Sequence, residues 1–361
     1  MMSNSFNNLW DSKQRPSIIA GPCSAESKEQ LYEVCKDLCD GGVTTIRAGI
    51  WKPRTRPNSF EGIGLPALKW ISEIKEQLPV AFAIEVATAD HVALALEAGV
   101  DILWLGARTT VNPFTVQEIA DSLAGVDVPV LIKNPINPDL ALWIGAVERI
   151  ANVGVKRIGA IHRGFSSHRK SEFRNEPIWQ IPIDFRRELP HIPLLCDPSH
   201  IAGHRGYIAQ ISQRALDLNY DGLMIEVHPN PDEALSDPLQ QITPAALVGL
   251  MNNLQVRSTS STDAMFISKL EELRDKIDQV DSELVTLLKH RMAIVDEIGH
   301  YKKENNVAIF QLERWNEILK SRGDWAERGN LDREFIEKIY KAIHEESLKQ
   351  QTSISKMPND E

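Results

Sequence analysis

A chain of 361 residues with a formal net charge of −10 is long enough to bury more than one hydrophobic core, and two domains are expected. The acidic balance argues against nucleic acid or an anionic membrane as a partner. No run of about 18 apolar residues occurs and the N-terminal stretch is polar, so neither a membrane span nor a signal peptide is expected, and the expected location is the cytoplasm.

From Ser17 to Arg257, short apolar runs alternate with helical patterns. The expected strands are Ser17–Ala20, Thr44–Arg47, Ala81–Val86, Ile102–Leu105, Val128–Lys133, Arg157–Ile161, Pro193–Cys196 and Gly222–Val227. Helical patterns between them include Lys28–Cys39, Ala67–Gln77, Asp90–Ala98, Val116–Leu123, Leu140–Asn152, Ile208–Leu218 and Pro244–Gln255. Eight strand–helix units over this length predict a closed (β/α)8 barrel at 17–257, after a tail at 1–16. Chemistry in such a barrel sits where the strands end.

The strand ends are charged. Strand two leads to Arg47 and then Lys52-Pro53-Arg54-Thr55, strand three to Glu85, strand four to Gly106-Ala107-Arg108, strand five to Lys133, and strand six to His162-Arg163-Gly164. Cations gathered at one face of an acidic protein predict a pocket for several anionic groups. At the remaining ends Cys23, His200, Glu226 and Asp237 offer S, N, O and O donors, a set suited to one divalent Mn, Fe, Co or Zn ion. His228 is the rival ligand, turned to the opposite side from Val227 by strand alternation. The four cysteines, Cys23, Cys35, Cys39 and Cys196, do not suggest a disulfide framework; for Cys23 the competing expectation is a small buried hydrophobe.

Taken together, Gly-Pro-Cys-Ser at 21–24, Lys-Pro-Arg-Thr at 52–55, Gly-Ala-Arg at 106–108, His-Arg-Gly at 162–164, Asp-Pro-Ser-His at 197–200 and Glu-Val-His…Ser-Asp at 226–237 resemble the type I beta 3-deoxy-D-arabino-heptulosonate 7-phosphate (DAHP) synthases. The resemblance implies condensation of phosphoenolpyruvate with erythrose 4-phosphate. It implies that Arg47, Lys52, Arg108, Lys133 and Arg163 hold phosphoenolpyruvate, with Lys133 and Arg163 also acting in catalysis, and that Arg54 and Thr55 hold the sugar phosphate. Glu85 is expected to orient a lysine. The related 3-deoxy-octulosonate 8-phosphate synthases carry an Asn-Arg-Ser-type sequence where this chain has Pro53-Arg54-Thr55, which favours the four-carbon sugar. One departure is Lys133-Asn134-Pro135, where many members have Lys-Arg-Gly.

A Ser/Thr-rich linker at 258–264 precedes a change of periodicity. Leu270, Leu273, Ile277, Val280, Leu284, Leu287, Ile294 and Ile298 form a heptad seam, which predicts one long helix over Met265–Glu304. Shorter helices are expected near Leu312–Lys320 and Leu331–Gln351, separated by Ser321-Arg322-Gly323 and capped by Asn330, followed by a tail at 352–361. Two short helices cannot cover the seam, so helices from a second protomer are expected. Arg291 breaks the apolar pattern; Lys302 lies about 20° round and ~16 Å along the same helix, so both can reach one anion. Arg274 lies ~25 Å away and suits another site.

These positions, with Arg314 and Gln351, resemble the AroQ-class chorismate mutases over 265–351. The resemblance implies rearrangement of chorismate to prephenate, with Arg274, Arg291 and Arg314 on carboxylates and Lys302 and Gln351 acting on the ether oxygen. It also implies a homodimer in which Arg274 completes the partner's site, and a fusion suggests feedback on the barrel. Departures are Trp315 where many relatives have glutamate and Gln311 where they have aspartate. The alternative for the helical segment is a dimerising, ligand-sensing module without catalysis.

Overall fold

The computed structural model describes residues 16–52, 60–167, 171–258 and 260–356. The chain divides into two compact units, Met1–Thr259 and Ser260–Glu361.

In the first unit, strands β1 (Ser17–Gly21), β2 (Thr45–Ala48), β3 (Ala81–Val86), β4 (Ile102–Leu105), β5 (Val130–Lys133), β6 (Ile158–His162), β7 (Leu194–Cys196) and β8 (Gly222–Glu226) form a closed barrel in sequence order. All neighbours pair in parallel, and β1 closes on β8 with Gly21 opposite Glu226. The principal helices around it are α1 (Lys28–Asp40), α2 (Leu65–Lys75), α3 (Ala89–Glu97), α4 (Ala107–Thr110), α5 (Pro113–Ser122), α6 (Leu140–Asn152), α7 (Gln180–Glu188), α8 (Pro198–Ala202), α9 (Ile208–Asp217) and α10 (Pro244–Asn253). Most expected elements are present within a few residues. Helix α7 has no counterpart in the sequence pattern, because Pro182 and a run of charges blur its apolar spacing, and it buries only Pro182 and Phe185.

Strand alternation separates two cores. Outward residues pack under the helices in one large cluster. Inward residues form a small apolar plug of Ile19, Ala83, Ile102, Trp104, Leu131, Ile161, Leu195 and Met224. Two residues further along the strands, the same inward positions are Gly21, Glu85, Gly106, Lys133, Arg163, Asp197 and Glu226, so the polar site is built directly on the plug.

The second unit has three helices: α11 (Ala264–Glu304), α12 (Leu312–Arg328) and α13 (Arg333–Ser355). Two expectations are corrected. Helix α12 runs straight through Ser321-Arg322-Gly323, and a side chain on Gly323 would meet the Arg333 guanidinium, whose ion pairs with Asp324 and Glu327 tie α12 to α13. The cap of α13 is Asp332, accepting from the Phe335 backbone N–H, and Asn330 lies outside that helix with φ of 55°. The seam of α11 is exposed: Ile277 is 59% and Leu287 63% accessible, and of its 41 residues only Val295 and Gly299 are buried.

Gly21 has φ of +149°, and a Cβ there would collide with the Arg47 carbonyl oxygen. Gly21→Ala is therefore expected to lower stability by about 3 kcal/mol, as strain and overpacking combine, read as an earlier urea midpoint of the barrel transition. An unchanged midpoint would contradict the close approach of β1 to β2.

Candidate active sites

At the barrel mouth the segments that follow β1 and β8 meet. Cys23 is fully buried and its Sγ lies 3.3 Å from Asp237 Oδ2, 3.3 Å from Ser236 Oγ and 3.0 Å from Lys52 Nζ. Ligand atoms of Cys23, Glu226 and Asp237 fall within 4.8 Å of one another. Asp237 takes φ of 50°, a left-handed conformation that aspartate tolerates and that aims its carboxylate at the thiol. His200 stands beside this group, Nε2 3.8 Å from Glu226 Oε1, while its Nδ1 is 2.8 Å from Asp197 Oδ2. A carboxylate on the far imidazole nitrogen is the arrangement that fixes a metal-binding histidine. Burial, reinforced by Glu226, pushes the Cys23 thiol up to about 12, with Lys52 opposing. A thiol set among carboxylates in this way calls for a cation, and the S, N, O, O donors fit a divalent transition metal.

Beneath the mouth lies a dense ionic network. Asp197 accepts from Lys133 at 2.7 Å, and Arg47 pairs with Glu226 at 3.0 Å and approaches Asp197 at 3.9 Å. Both cations lie over the Trp104 ring that tops the plug, at 5.2 and 5.6 Å from its centroid. Burial opposes ionisation of Asp197, but His200, Lys133 and Arg47 together hold its carboxyl well below the usual range. Lys133 lies below the usual lysine value because burial outweighs Asp197. The lysine's partner is thus Asp197; Glu85 accepts from the Trp104 indole at 3.3 Å and makes no hydrogen bond to a lysine among the described residues, which corrects the expectation for Glu85.

Above this network Lys52, Arg108, Lys133, Arg163, His200 and Asp237 line one pocket. Arg47 lies deeper, 1% exposed and outside that lining. Arg163 donates to the neutral Asn175 at 2.7 Å, and neither it nor Arg108 forms an ion pair among the described residues. Burial, with the nearby Arg174 and Arg108, brings Arg163 down to about 10, although Asp197 opposes the shift. Guanidinium groups without carboxylate partners among the described residues, over a buried network, make this pocket a candidate anion site. Arg54 and Thr55 lie outside the described residues.

Several site residues lie in loops without periodicity. Asn134, at the sequence departure, accepts from the Arg163 N–H at 2.7 Å and donates to the Gly164 carbonyl at 2.8 Å, so it joins the ends of β5 and β6. Arg174 holds Asp237 at 2.9 Å and Gln240 at 2.6 Å, and Gln240 donates to Glu226 at 2.6 Å. His228 shares the strand parity of Glu226, but its Nε2 lies 3.5 Å from Glu26 Oε2.

In the helical unit, α11 and α13 bring Arg291, Lys302 and Gln351 to one region. Arg291 donates to Ser347 Oγ at 2.8 Å, and a side chain on Gly299 would contact Gln351. Lys302 donates to the Ile309 carbonyl at 2.6 Å, and neither cation has a carboxylate partner among the described residues. Gln351 is 8% exposed, with its Oε1 unpartnered. Arg314 instead pairs with Glu317 at 2.6 Å on an exposed face, and Arg274 is exposed on α11. The structure thus gathers three of the five predicted residues in one chain.

Fold and site together define a (β/α)8 barrel with a cation-lined pocket and a candidate cation cluster at its mouth, followed by a three-helix unit that brings Arg291, Lys302 and Gln351 together. A family model described as the DAHP synthetase I family matches residues 7–261, and one described as chorismate mutase type II matches residues 273–352. The chain belongs to the DAHP synthetase I family. Phospho-2-dehydro-3-deoxyheptonate aldolase of Thermotoga maritima is 35% identical over 226 residues, covering 63% of this chain and 65% of that protein. The crystal structure of the Thermotoga maritima DAHP synthase superposes with a TM-score of 0.59 at 30% identity, covering 66% of this chain and 67% of that one. A 2-dehydro-3-deoxyphosphooctonate aldolase of Syntrophotalea carbinolica is 28% identical over 253 residues, covering 63% of this chain and 86% of that protein. Among the described residues no helix is long and apolar enough to cross a membrane.

Asp197→Ala would strand Lys133 and Arg47 without their shared buried anion. It is expected to cost about 3–5 kcal/mol of barrel stability in chemical denaturation, and a cost below about 1 kcal/mol would show that the network is not structural.

Proposed function

We propose that the chain is bifunctional, with a DAHP synthase in the barrel at 17–257 and a chorismate mutase in the helices at 265–351. The half-buried Arg163 and the exposed Arg108, cations without carboxylate partners among the described residues beside a thiol–carboxylate cluster, carry the first assignment. The family match and the Thermotoga relative favour the four-carbon sugar over the five-carbon one.

In the synthase, Lys52, Arg108, Lys133 and Arg163 hold the phosphate and carboxylate of phosphoenolpyruvate, and Arg47 stiffens the floor from below. Arg54 and Thr55 hold the sugar phosphate. Cys23, His200, Glu226 and Asp237 hold one divalent ion of the Mn, Fe, Co or Zn group, which supplies Lewis-acid polarisation of the aldehyde oxygen. The enol carbon, C3, attacks the aldehyde carbon, water adds at C2 of the three-carbon unit, and inorganic phosphate leaves by C–O cleavage. Lys133 and Arg163 stabilise the charge of the departing phosphate, a role that fixed cations in a water-poor site perform without reorganising.

In the mutase, rearrangement needs no nucleophile, only fixation of two carboxylates and donors on the breaking ether bond. Arg291 and Arg314 take carboxylates, and Lys302 and Gln351 serve the ether oxygen. The exposed seam of α11 supports a homodimer, in which Arg274 of a second copy completes the pocket. Feedback of chorismate or prephenate on the barrel follows as a hypothesis, tested by synthase rate against added prephenate; an unchanged rate at saturation would end it.

The two sites should fail separately. In the full-length protein, Cys23→Ser is expected to lose more than about a hundredfold in phosphate release from the two sugar-pathway substrates while chorismate consumption stays within about twofold, and Arg291→Ala the reverse. Chelation should reproduce the Cys23→Ser result and added metal restore the wild type. Phosphate release that resists chelation would remove the cation from the scheme, and wild-type binding of chorismate without turnover would favour a sensing module.

A further inference from the structure

The mutase pocket contains a polar group that this scheme does not use. His344 on α13 is stacked on Trp315 with ring centroids 4.0 Å apart and planes 11° from parallel, and Phe310 closes on it at 6.0 Å. Two aromatic neighbours fix the imidazole plane, yet its Nε2 is buried without a hydrogen-bond partner. Along α13, His344, Ser347 and Gln351 follow an i, i+3, i+7 spacing on one face, ~10 Å from end to end. Ser347 is engaged by Arg291, and Gln351 Oε1 is the face's other unpartnered buried atom. Burial and then the charges of Arg291 and Lys302 hold His344 below the ordinary value of 6.5, so the ring is neutral at pH 7 and both cations lie near it.

A buried polar atom left open costs stability unless a ligand completes it. Chorismate presents two carboxylates, an ether oxygen and one ring hydroxyl. The arginines match the carboxylates, and Lys302 and Gln351 match the ether, which leaves the hydroxyl. Trp315 is the residue that pins His344. We propose that His344 is a specificity residue of the mutase site, its Nε2 hydrogen-bonding the ring hydroxyl of the dianion while Trp315 holds the ring in place. The proposal rests on the mutase assignment above.

The test compares full-length wild type, His344→Phe and His344→Gln for calorimetric binding of chorismate and of its analogue lacking the ring hydroxyl, with chorismate turnover followed in parallel. Phenylalanine keeps the stack and removes Nε2. It should weaken chorismate binding about tenfold and leave the deoxy analogue within about twofold of wild type, and glutamine should recover most of the loss. Equal loss on both ligands would assign His344 a packing role, and no loss on chorismate would give the hydroxyl to another group such as Gln351 Oε1; either result overturns the proposal, as does a glutamine variant no better than phenylalanine. Wild-type binding without turnover would refute the mutase assignment while the affinities still decide the role of His344, and absence of binding by wild type would end both.

Discussion

The barrel site depends on one buried carboxylate. Asp197 takes Lys133 from one side, lies near Arg47 on another and holds His200 Nδ1 on a third, with Asp197, Lys133 and Arg47 all buried. Each cation alone would be costly there, and together with Glu226 they form a set whose charges cancel at short range. Trp104 supports both cations with its ring face, so the boundary between apolar plug and ionic site is a single side chain. Everything above this layer is oriented by it: His200 toward the Cys23 cluster, and Lys133 toward the pocket.

A second principle is surplus. Charges below the mouth are matched, whereas Arg108 and Arg163 above it have no anion among the described residues. A chain with an overall charge of −10 keeps this positive spot by strand parity, since every second residue at the strand ends points inward. The helical unit solves a similar problem with less burial. Arg291 and Lys302 are held by a hydroxyl and a carbonyl, leaving their charge available, and Trp315 and His344 stack as an aromatic pair in the same unit.

The strand cores were legible in the sequence because each is a short apolar run ending in polar residues, and the same rule located Cys23, Lys133, His200, Glu226 and Asp237. Asn134, Arg174, Asn175 and Gln240 escaped it. They sit in loops, where no periodicity marks which side chain turns inward, and their roles come from hydrogen bonds across 12 to 66 residues of sequence. Helix α7 and the uninterrupted α12 escaped for local reasons: Pro182 weakens one pattern, and Gly323, read as a break, instead makes room for Arg333. The long seam was legible, and its exposure in one chain is what a heptad repeat needs from a second.

The central claim is that the buried thiol belongs to a cation site. Anomalous diffraction from crystals of the full-length protein grown with Mn tests it most directly. The account predicts one peak at the barrel mouth within about 2.0–2.5 Å of Cys23 Sγ, His200 Nε2 and carboxylate oxygens of Glu226 and Asp237. A peak elsewhere, or one that does not touch Cys23, would contradict it.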